Sequence, residues 1–97
     1  MNEGYFVYIL ASKRNGTIYI GVTNNLAKRV FEHRSRFIEG FTKKHKVKDL
    51  VYVETYSTPE EAIHREKCLK RWKRDWKIEL IEGQNPLWDD LYPSLQK

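Results

Sequence analysis

Residues 5 to 23 decide the fold, and they read YFVYILASKRNGTIYIGVT. The first seven are apolar and rich in β-formers, and the last seven alternate between polar and apolar side chains, as strand residues do. Between the two segments lies Asn15-Gly16, the dipeptide most typical of a hairpin turn. The stretch therefore predicts an antiparallel β-hairpin.

The hairpin also predicts which side chains share a face of the sheet. If Asn15-Gly16 is a two-residue turn, Tyr8 lies opposite Thr23. Tyr19 then projects from the same face as Tyr8, because side chains alternate along a strand. A four-residue loop keeps this result, whereas a loop of three or five residues reverses it. Gly21 places no side chain between the tyrosines, so a ligand backbone can come close there, although a glycine in a strand can equally mark a bulge.

A helix is predicted after the hairpin. Residues 23–25 offer N-caps, and Leu26, Val30, His33 and Phe37 recur at helical spacing. This helix is expected to end near Gly40. Residues 41–48 are basic and aperiodic and predict an exposed loop, while residues 50–56 (LVYVETY) predict a third strand.

A second helical region is predicted from residues 57–59 to Asn85-Pro86. Its start combines an N-cap, an early proline and first-turn acids, and a break into two helices is expected near Lys73. Three tryptophans are interpreted as core side chains rather than base-stacking platforms: Trp72, Trp76 and Trp88.

Size and charge limit the function classes. The 97 residues are expected to form a single domain (1–97, with a core of about 5–91), and one cysteine excludes an intramolecular disulfide. No run approaches the roughly 18 apolar residues of a membrane span, so we expect no membrane partner and a cytoplasmic location. Eighteen Lys and Arg oppose thirteen Asp and Glu, and the excess is concentrated in residues 28–48 and 65–77. Such clusters indicate a nucleic-acid backbone binder, or simply a lysine-rich solvated helix face.

One carboxylate falls within an apolar helical stripe. Glu66 lies four residues after Ala62 and three before Leu69, so it is predicted to face the core. A charge there is costly unless it is paired or coordinates a metal. Arg29 and His33 share a face of the first helix, so either can be its partner in an internal ion pair.

These residues resemble the GIY-YIG nucleases, in particular the small stand-alone, UPF0213-like members. Tyr19-Ile20-Gly21 matches the second half of the family signature, and Tyr8 matches the tyrosine of the first half. Phe6 and Val7 replace the glycine and isoleucine of that first half. The resemblance runs from about Tyr5 to Leu91.

The resemblance implies a fold and an activity. The fold is α+β, a three-stranded antiparallel sheet with an N-terminal hairpin, flanked by two to three helices. The activity is hydrolysis of phosphodiester bonds in nucleic acid, most readily DNA, by an endonuclease that uses Mg²⁺ or Mn²⁺. The alternative is a nucleic-acid-binding module with little or no turnover, and a third reading is a structural protein with a buried Glu66–Arg29 ion pair.

The resemblance also implies roles for individual residues. Glu66 would bind the metal, Arg29 would hold the scissile phosphate, and a tyrosine would act as general base. Asn85 would orient groups around the metal, or would simply be the C-cap before the following proline. The implied catalytic residues are Tyr8, Tyr19, Arg29, His33, Glu66 and Asn85. The expected nucleic-acid contacts are Gly21, Lys43, Lys44, Lys46 and Lys70.

Overall fold

A computed structural model describes residues 4–35 and 46–96, and in this part of the chain three antiparallel strands form one sheet with helices on both faces. The strand order is β2-β1-β3. The strands are β1 (Tyr5–Ala11), β2 (Ile18–Thr23) and β3 (Asp49–Tyr56). The helices are α1 (Leu26–Arg34), α2 (Pro59–Arg71), α3 (Arg74–Gln84) and a 3-10 helix (Tyr92–Gln96). The predicted α+β fold is therefore confirmed.

The loop between β1 and β2 is longer than the predicted two-residue turn. The Ser12 amide donates to the Thr17 carbonyl (3.0 Å), and the Thr17 amide donates to the Ser12 hydroxyl (3.0 Å). Residues 13–16 form the four-residue loop that these bonds close, with Asn15 in the left-handed region at φ 58°. The Ser12 hydroxyl thus accepts the hydrogen bond of the Thr17 amide, which in a two-residue turn would have a different acceptor.

This loop moves the register of the hairpin by two residues. Tyr8 lies opposite Gly21, not opposite Thr23 as the two-residue turn required. Because the shift is even, Tyr8 and Tyr19 still project from the same face. The prediction that matters for the site therefore survives the wrong turn length.

Helix α1 is capped as expected but is shorter than predicted. The Asn25 side chain accepts from the Lys28 amide at its start, and the helix ends at Arg34 with Ser35 as C-cap. Arg34 then donates to the Asp90 carboxylate at 2.7 Å, which links the end of α1 to the C-terminal segment. Phe37 and Gly40, where the predicted helix continued and ended, lie outside the described residues.

The second helical region breaks where the sequence predicted. Trp72 and Lys73 are both extended, with ψ near 150°, so α2 and α3 are separate helices. Trp88 is buried and Trp72 is half-buried, but Trp76 is 49% exposed, so the prediction that it is a core residue is wrong.

Each face of the sheet has its own apolar core. Leu26 and Val30 of α1 pack on the face that carries Tyr8 and Leu10. The other face is covered by α2 and α3, whose buried members are Ala62, Leu69 and Ile81. Among residues 4–35 and 46–96, no helix is long and apolar enough to cross a membrane.

Candidate active site

A buried hydrogen bond joins the sheet to α1. Tyr8 on β1 and His33 on α1 are both almost fully buried, and the Tyr8 hydroxyl lies 3.2 Å from His33 Nε2. Strand alternation turns Tyr8 towards α1, and helical spacing places His33 one turn after Val30 on the buried stripe. The two elements thus bring together residues that are 25 positions apart.

Tyr19 completes a cluster of three rings. Its centroid lies 5.2 Å from the His33 ring and 6.3 Å from the Tyr8 ring, with tilted planes in both pairs. These separations fall within the range of favourable aromatic contacts. The structure therefore brings three of the six predicted catalytic side chains, Tyr8, Tyr19 and His33, into one cluster.

Gly21 makes room for Tyr8 rather than for a ligand. A Cβ built on Gly21 would lie 2.5 Å from Tyr8 Cζ and even closer to the hydroxyl oxygen. The Tyr8 ring therefore crosses β2 over the one residue of this strand that has no side chain. The space that the sequence suggested for a ligand backbone is filled by the ring.

Burial keeps both members of the hydrogen bond neutral near pH 7. Burial raises the pKa of Tyr8 above its ordinary value, and Tyr19 and Glu66 raise it further, whereas Arg29 lowers it by its charge and by hydrogen bonding. Burial also lowers the pKa of His33, and the Arg29 charge acts in the same direction. A neutral phenol therefore faces a neutral imidazole, which is the stronger proton acceptor of the two.

Glu66 and Arg29 lie near Tyr8 but are not partners of each other. The Glu66 side chain is only 14% exposed and forms an ion pair with Lys70 at 2.8 Å, one turn further along α2. Arg29 is 43% exposed and pairs with Glu32 at 3.5 Å. The alternative that Arg29 forms an internal ion pair with Glu66 is therefore wrong. Arg29 and Glu66 nevertheless both influence the pKa of Tyr8, Arg29 by lowering it and Glu66 by raising it.

Asn85 is the C-cap of α3, the structural alternative that the sequence left open. Its amide group donates to the carbonyls of Val51 and Asp89 at 3.0 and 2.8 Å, and its carbonyl accepts from the Asp89 amide. Val51 belongs to β3, which lies on the opposite side of β1 from β2. The side chain therefore holds the chain after α3 against β3.

The predicted nucleic-acid contacts are only partly described. Lys43 and Lys44 lie outside the described residues. Lys46 is exposed and adopts a left-handed backbone with φ 56°. Lys70 lines a groove of about 350 Å³ together with Ile18, Tyr19, Ile20 and Lys77. Lys77 was not among the predicted contacts, although it lies at the end of the basic cluster of residues 65–77 that could have indicated it.

Glu66 is the carboxylate of the candidate site that could hold a metal ion. Residues 4–35 and 46–96 contain no group of three or more His, Cys, Asp or Glu side chains that could hold an ion. Glu66 is a single, sheltered carboxylate whose present partner, Lys70, is half-exposed and can move away. One carboxylate with several waters is a common coordination of Mg²⁺.

The chain is similar to a known family of domains and to several known proteins. The GIY-YIG catalytic domain family matches residues 4–79. A UPF0213 protein of Staphylococcus epidermidis is 35% identical over 80 residues, which cover 82% of this chain and 96% of that protein. A UPF0213 protein of Clostridium perfringens is also 35% identical over 80 residues, covering 82% of this chain and 85% of the relative.

A solved structure is similar over nearly the same span. The solution NMR structure of a UPF0213 protein from Bacillus halodurans superposes with a TM-score of 0.56 at 26% identity, and covers 89% of this chain and 90% of that one. The family match spans the hairpin, α1 and α2, which carry the rings, Arg29 and Glu66. The chain belongs to the GIY-YIG catalytic domain family and is similar to its UPF0213 members.

Proposed function

We propose that this protein is a divalent-metal-dependent endonuclease that hydrolyses phosphodiester bonds in nucleic acid, with DNA as the expected substrate. The observation that carries the proposal is the buried Tyr8–His33 hydrogen bond of 3.2 Å, formed by two residues within the span that matches the family. A buried phenol and imidazole in contact are not needed to fill a core. They are suited to moving a proton.

The proton path follows from the protonation states. Tyr8 cannot act as a preformed phenolate near pH 7, because burial raises its pKa and keeps it a neutral hydrogen-bond donor and acceptor. His33 is neutral because burial lowers its pKa, so Nε2 can accept the Tyr8 proton in the tautomer that leaves this nitrogen free. Tyr8 would then take a proton from the attacking water as it gives its own to His33.

Arg29 is the residue that we expect to hold the scissile phosphate. Its side chain is 43% exposed, and its guanidinium pairs with Glu32 at 3.5 Å and lies close enough to Tyr8 to lower the pKa of that tyrosine. A planar guanidinium can bind two phosphate oxygens at once. It would place the phosphorus beside the Tyr8 hydroxyl and offset the charge that develops there.

Glu66 would hold a Mg²⁺ or Mn²⁺ ion after Lys70 has moved away. When bound, such an ion supplies charge stabilisation at the phosphate oxygens and assistance to the leaving oxygen. Lys70 is well suited to exchange partners, since its side chain is half-exposed and lines the groove beside Tyr19. A nearby substrate phosphate would then replace the Glu66 carboxylate as the ion-pair partner of Lys70.

A cleavage assay with three metal conditions tests the proposal. Purified protein is incubated with circular, branched and single-stranded DNA and with single-stranded RNA, in the presence of Mg²⁺, Mn²⁺ or EDTA. Nicking or cutting in Mg²⁺ or Mn²⁺ that EDTA abolishes is expected. Cleavage that persists in EDTA would contradict the metal requirement.

The Lys70–Glu66 ion pair favours a second candidate, a nucleic-acid-binding module with little turnover. A carboxylate kept permanently by a lysine at 2.8 Å would not bind a metal, whereas the basic surface would still bind phosphates. Salt-sensitive binding of all four substrates without cleavage in either metal would select this candidate over the nuclease.

A further inference from the structure

The start of α3 carries an exposed tryptophan on a basic surface. Trp76 is 49% exposed, and its ring meets Trp72 edge-on with centroids 6.0 Å apart. Together with Glu79 and Leu80, the two indoles line an open groove of about 440 Å³. The contact with Trp72 limits rotation of the Trp76 ring, so its exposed half is a flat and fairly rigid apolar surface.

Cations surround these rings. Lys73 Nζ lies 5.7 Å from the centroid of Trp76, and the Arg65 guanidinium lies 5.0 Å from that of Trp72. Residues 65–77 contain seven Lys or Arg and only two acids. Arg71 and Lys73 are exposed, and neither has an ion-pair partner in the described part of the chain. The tryptophan therefore lies within a surface that attracts phosphates.

We infer that Trp76 stacks on an unpaired base of a nucleic-acid strand whose phosphates contact the lysines and arginines around it. Aromatic side chains within a positive surface are the common means of binding single strands, because every base has a face that can stack. In a duplex those faces are covered by neighbouring bases, so Trp76 requires an unpaired nucleotide. The Glu79 carboxylate in the groove repels phosphate, which favours a base in the groove and a backbone on the Lys73 side.

The position of Trp76 joins this surface to the candidate active site. Lys77, the next residue, lines the second groove together with Lys70 and Tyr19. A strand anchored on Trp76 can therefore continue along these lysines towards the rings of the active site. The inference rests on the proposed function and narrows its substrate to nucleic acid with an unpaired segment beside the cleaved bond, such as a branch, a flap or a single strand.

A binding titration in EDTA tests the inference without requiring cleavage. Fluorescence anisotropy is measured with a labelled oligothymidylate of about 12 nucleotides, within the usual range of single-strand sites, and with a blunt hairpin duplex of similar charge. Trp76→Ala is expected to weaken single-strand binding about 10-fold and duplex binding by less than about 2-fold, since one stacked base is lost. Trp76→Phe, which keeps an aromatic face, should retain most of the affinity. Leu87→Ala, the matched control at an exposed apolar residue outside both grooves, should change neither value.

Each other result overturns the inference in a recognisable way. Wild-type protein that binds neither probe would refute both this inference and the proposed function. Wild-type binding that is unchanged in Trp76→Ala, or lowered equally for both probes, would refute the stacking site alone. Sedimentation that finds a dimer which Trp76→Ala dissociates, with single-strand affinity unchanged, would assign the groove to a second copy of the chain instead.

Discussion

The close fit of the Tyr8 ring over Gly21 gives a prediction whose size can be worked out from the structure. In Gly21→Ala, the added methyl group would lie 2.5 Å from Tyr8 Cζ, whereas ordinary contacts begin near 3.4 Å. The ring must therefore move by about 1 Å. The Tyr8–His33 hydrogen bond of 3.2 Å is already long, and such a movement would break it.

The expected cost is set by overpacking and by the lost hydrogen bond. Overpacking a buried site costs about 1 to 3 kcal/mol, and a buried hydrogen bond contributes about 1 kcal/mol. We therefore expect Gly21→Ala to lower the free energy of unfolding by about 2 to 4 kcal/mol. For a domain of this size, that corresponds to a decrease in Tm of roughly 8 to 30 °C. Any cleavage activity should fall as well, because Tyr8 loses its position against His33.

Gly83 provides the matched control. It lies in α3, and a Cβ added there meets nothing within 4 Å, so Gly83→Ala should stabilise the protein by about 0.5 to 1 kcal/mol through helix propensity. Both variants are compared by chemical denaturation and thermal melting. A Gly21→Ala protein as stable as the wild type, with unchanged activity, would refute the placement of the Tyr8 ring over Gly21.

Three further predictions follow from the charges of the site. Glu66→Gln should keep nucleic-acid binding and lose less than about 1 kcal/mol of stability, because its ion-pair partner is half-exposed. It should abolish metal-dependent cleavage, whereas the control Glu60→Gln on the same helix should leave cleavage intact. Equal cleavage by both variants would exclude Glu66 as the metal ligand. Cleavage requires neutral His33, whose pKa burial lowers. In a plot of cleavage rate against pH, the decrease on the acid side should therefore be centred below the ordinary histidine pKa of about 6.5. A decrease centred at or above that value would contradict the assignment. Nucleic-acid affinity should fall about 100-fold between about 50 and 200 mM salt if about four phosphates are neutralised, which a filter-binding salt series would detect. In the same assay, Lys46→Glu should weaken binding to all sequences alike.

The predicted fold rested on periodicity, and its errors fell where periodicity gives no information. Alternation fixed the strands, and the family resemblance agreed with it. The predicted length of the hairpin loop was wrong. Asn15-Gly16 favours a two-residue turn, whereas the Thr17 amide donates to the Ser12 hydroxyl and closes a four-residue loop. Such a side-chain bond competes locally with turn preference and leaves little trace in the pattern. The shared face of Tyr8 and Tyr19 survived because the error was an even number of residues.

The two errors in the helical region, the burial of Trp76 and the ion-pair partner of Glu66, have separate physical causes. Trp72 and Trp76 share a face only in an unbroken helix, and the extended residues at the break change the helical phase between them. Glu66 was correctly predicted to be sheltered, but its partner was sought on α1. A lysine one turn away on the same helix reaches a carboxylate at little entropic cost, so Lys70 became the partner.

The sequence predicted best the shared sheet face of Tyr8 and Tyr19 and the place of His33 on the apolar stripe of α1. Strand alternation and helical spacing together determine which faces of β1, β2 and α1 meet, and both patterns are regular here. The contact between Tyr8 and His33 and the tight fit over Gly21 could not be predicted, since they depend on rotamers and on distances of a few tenths of an ångström.

The most direct test of the central claim compares two tyrosine variants of β1. Tyr8 bonds His33, whereas Tyr5 lies at the start of the same strand, half-buried and with no hydrogen bond from its hydroxyl among the described residues. Single-turnover cleavage of the preferred substrate in Mg²⁺ is measured for Tyr8→Phe and Tyr5→Phe, with melting curves for both. We predict that Tyr8→Phe reduces the rate at least about 100-fold, as expected for loss of a proton-transfer group, and that Tyr5→Phe cleaves like the wild type. A Tyr8→Phe protein that is folded and cleaves at the wild-type rate would contradict the account.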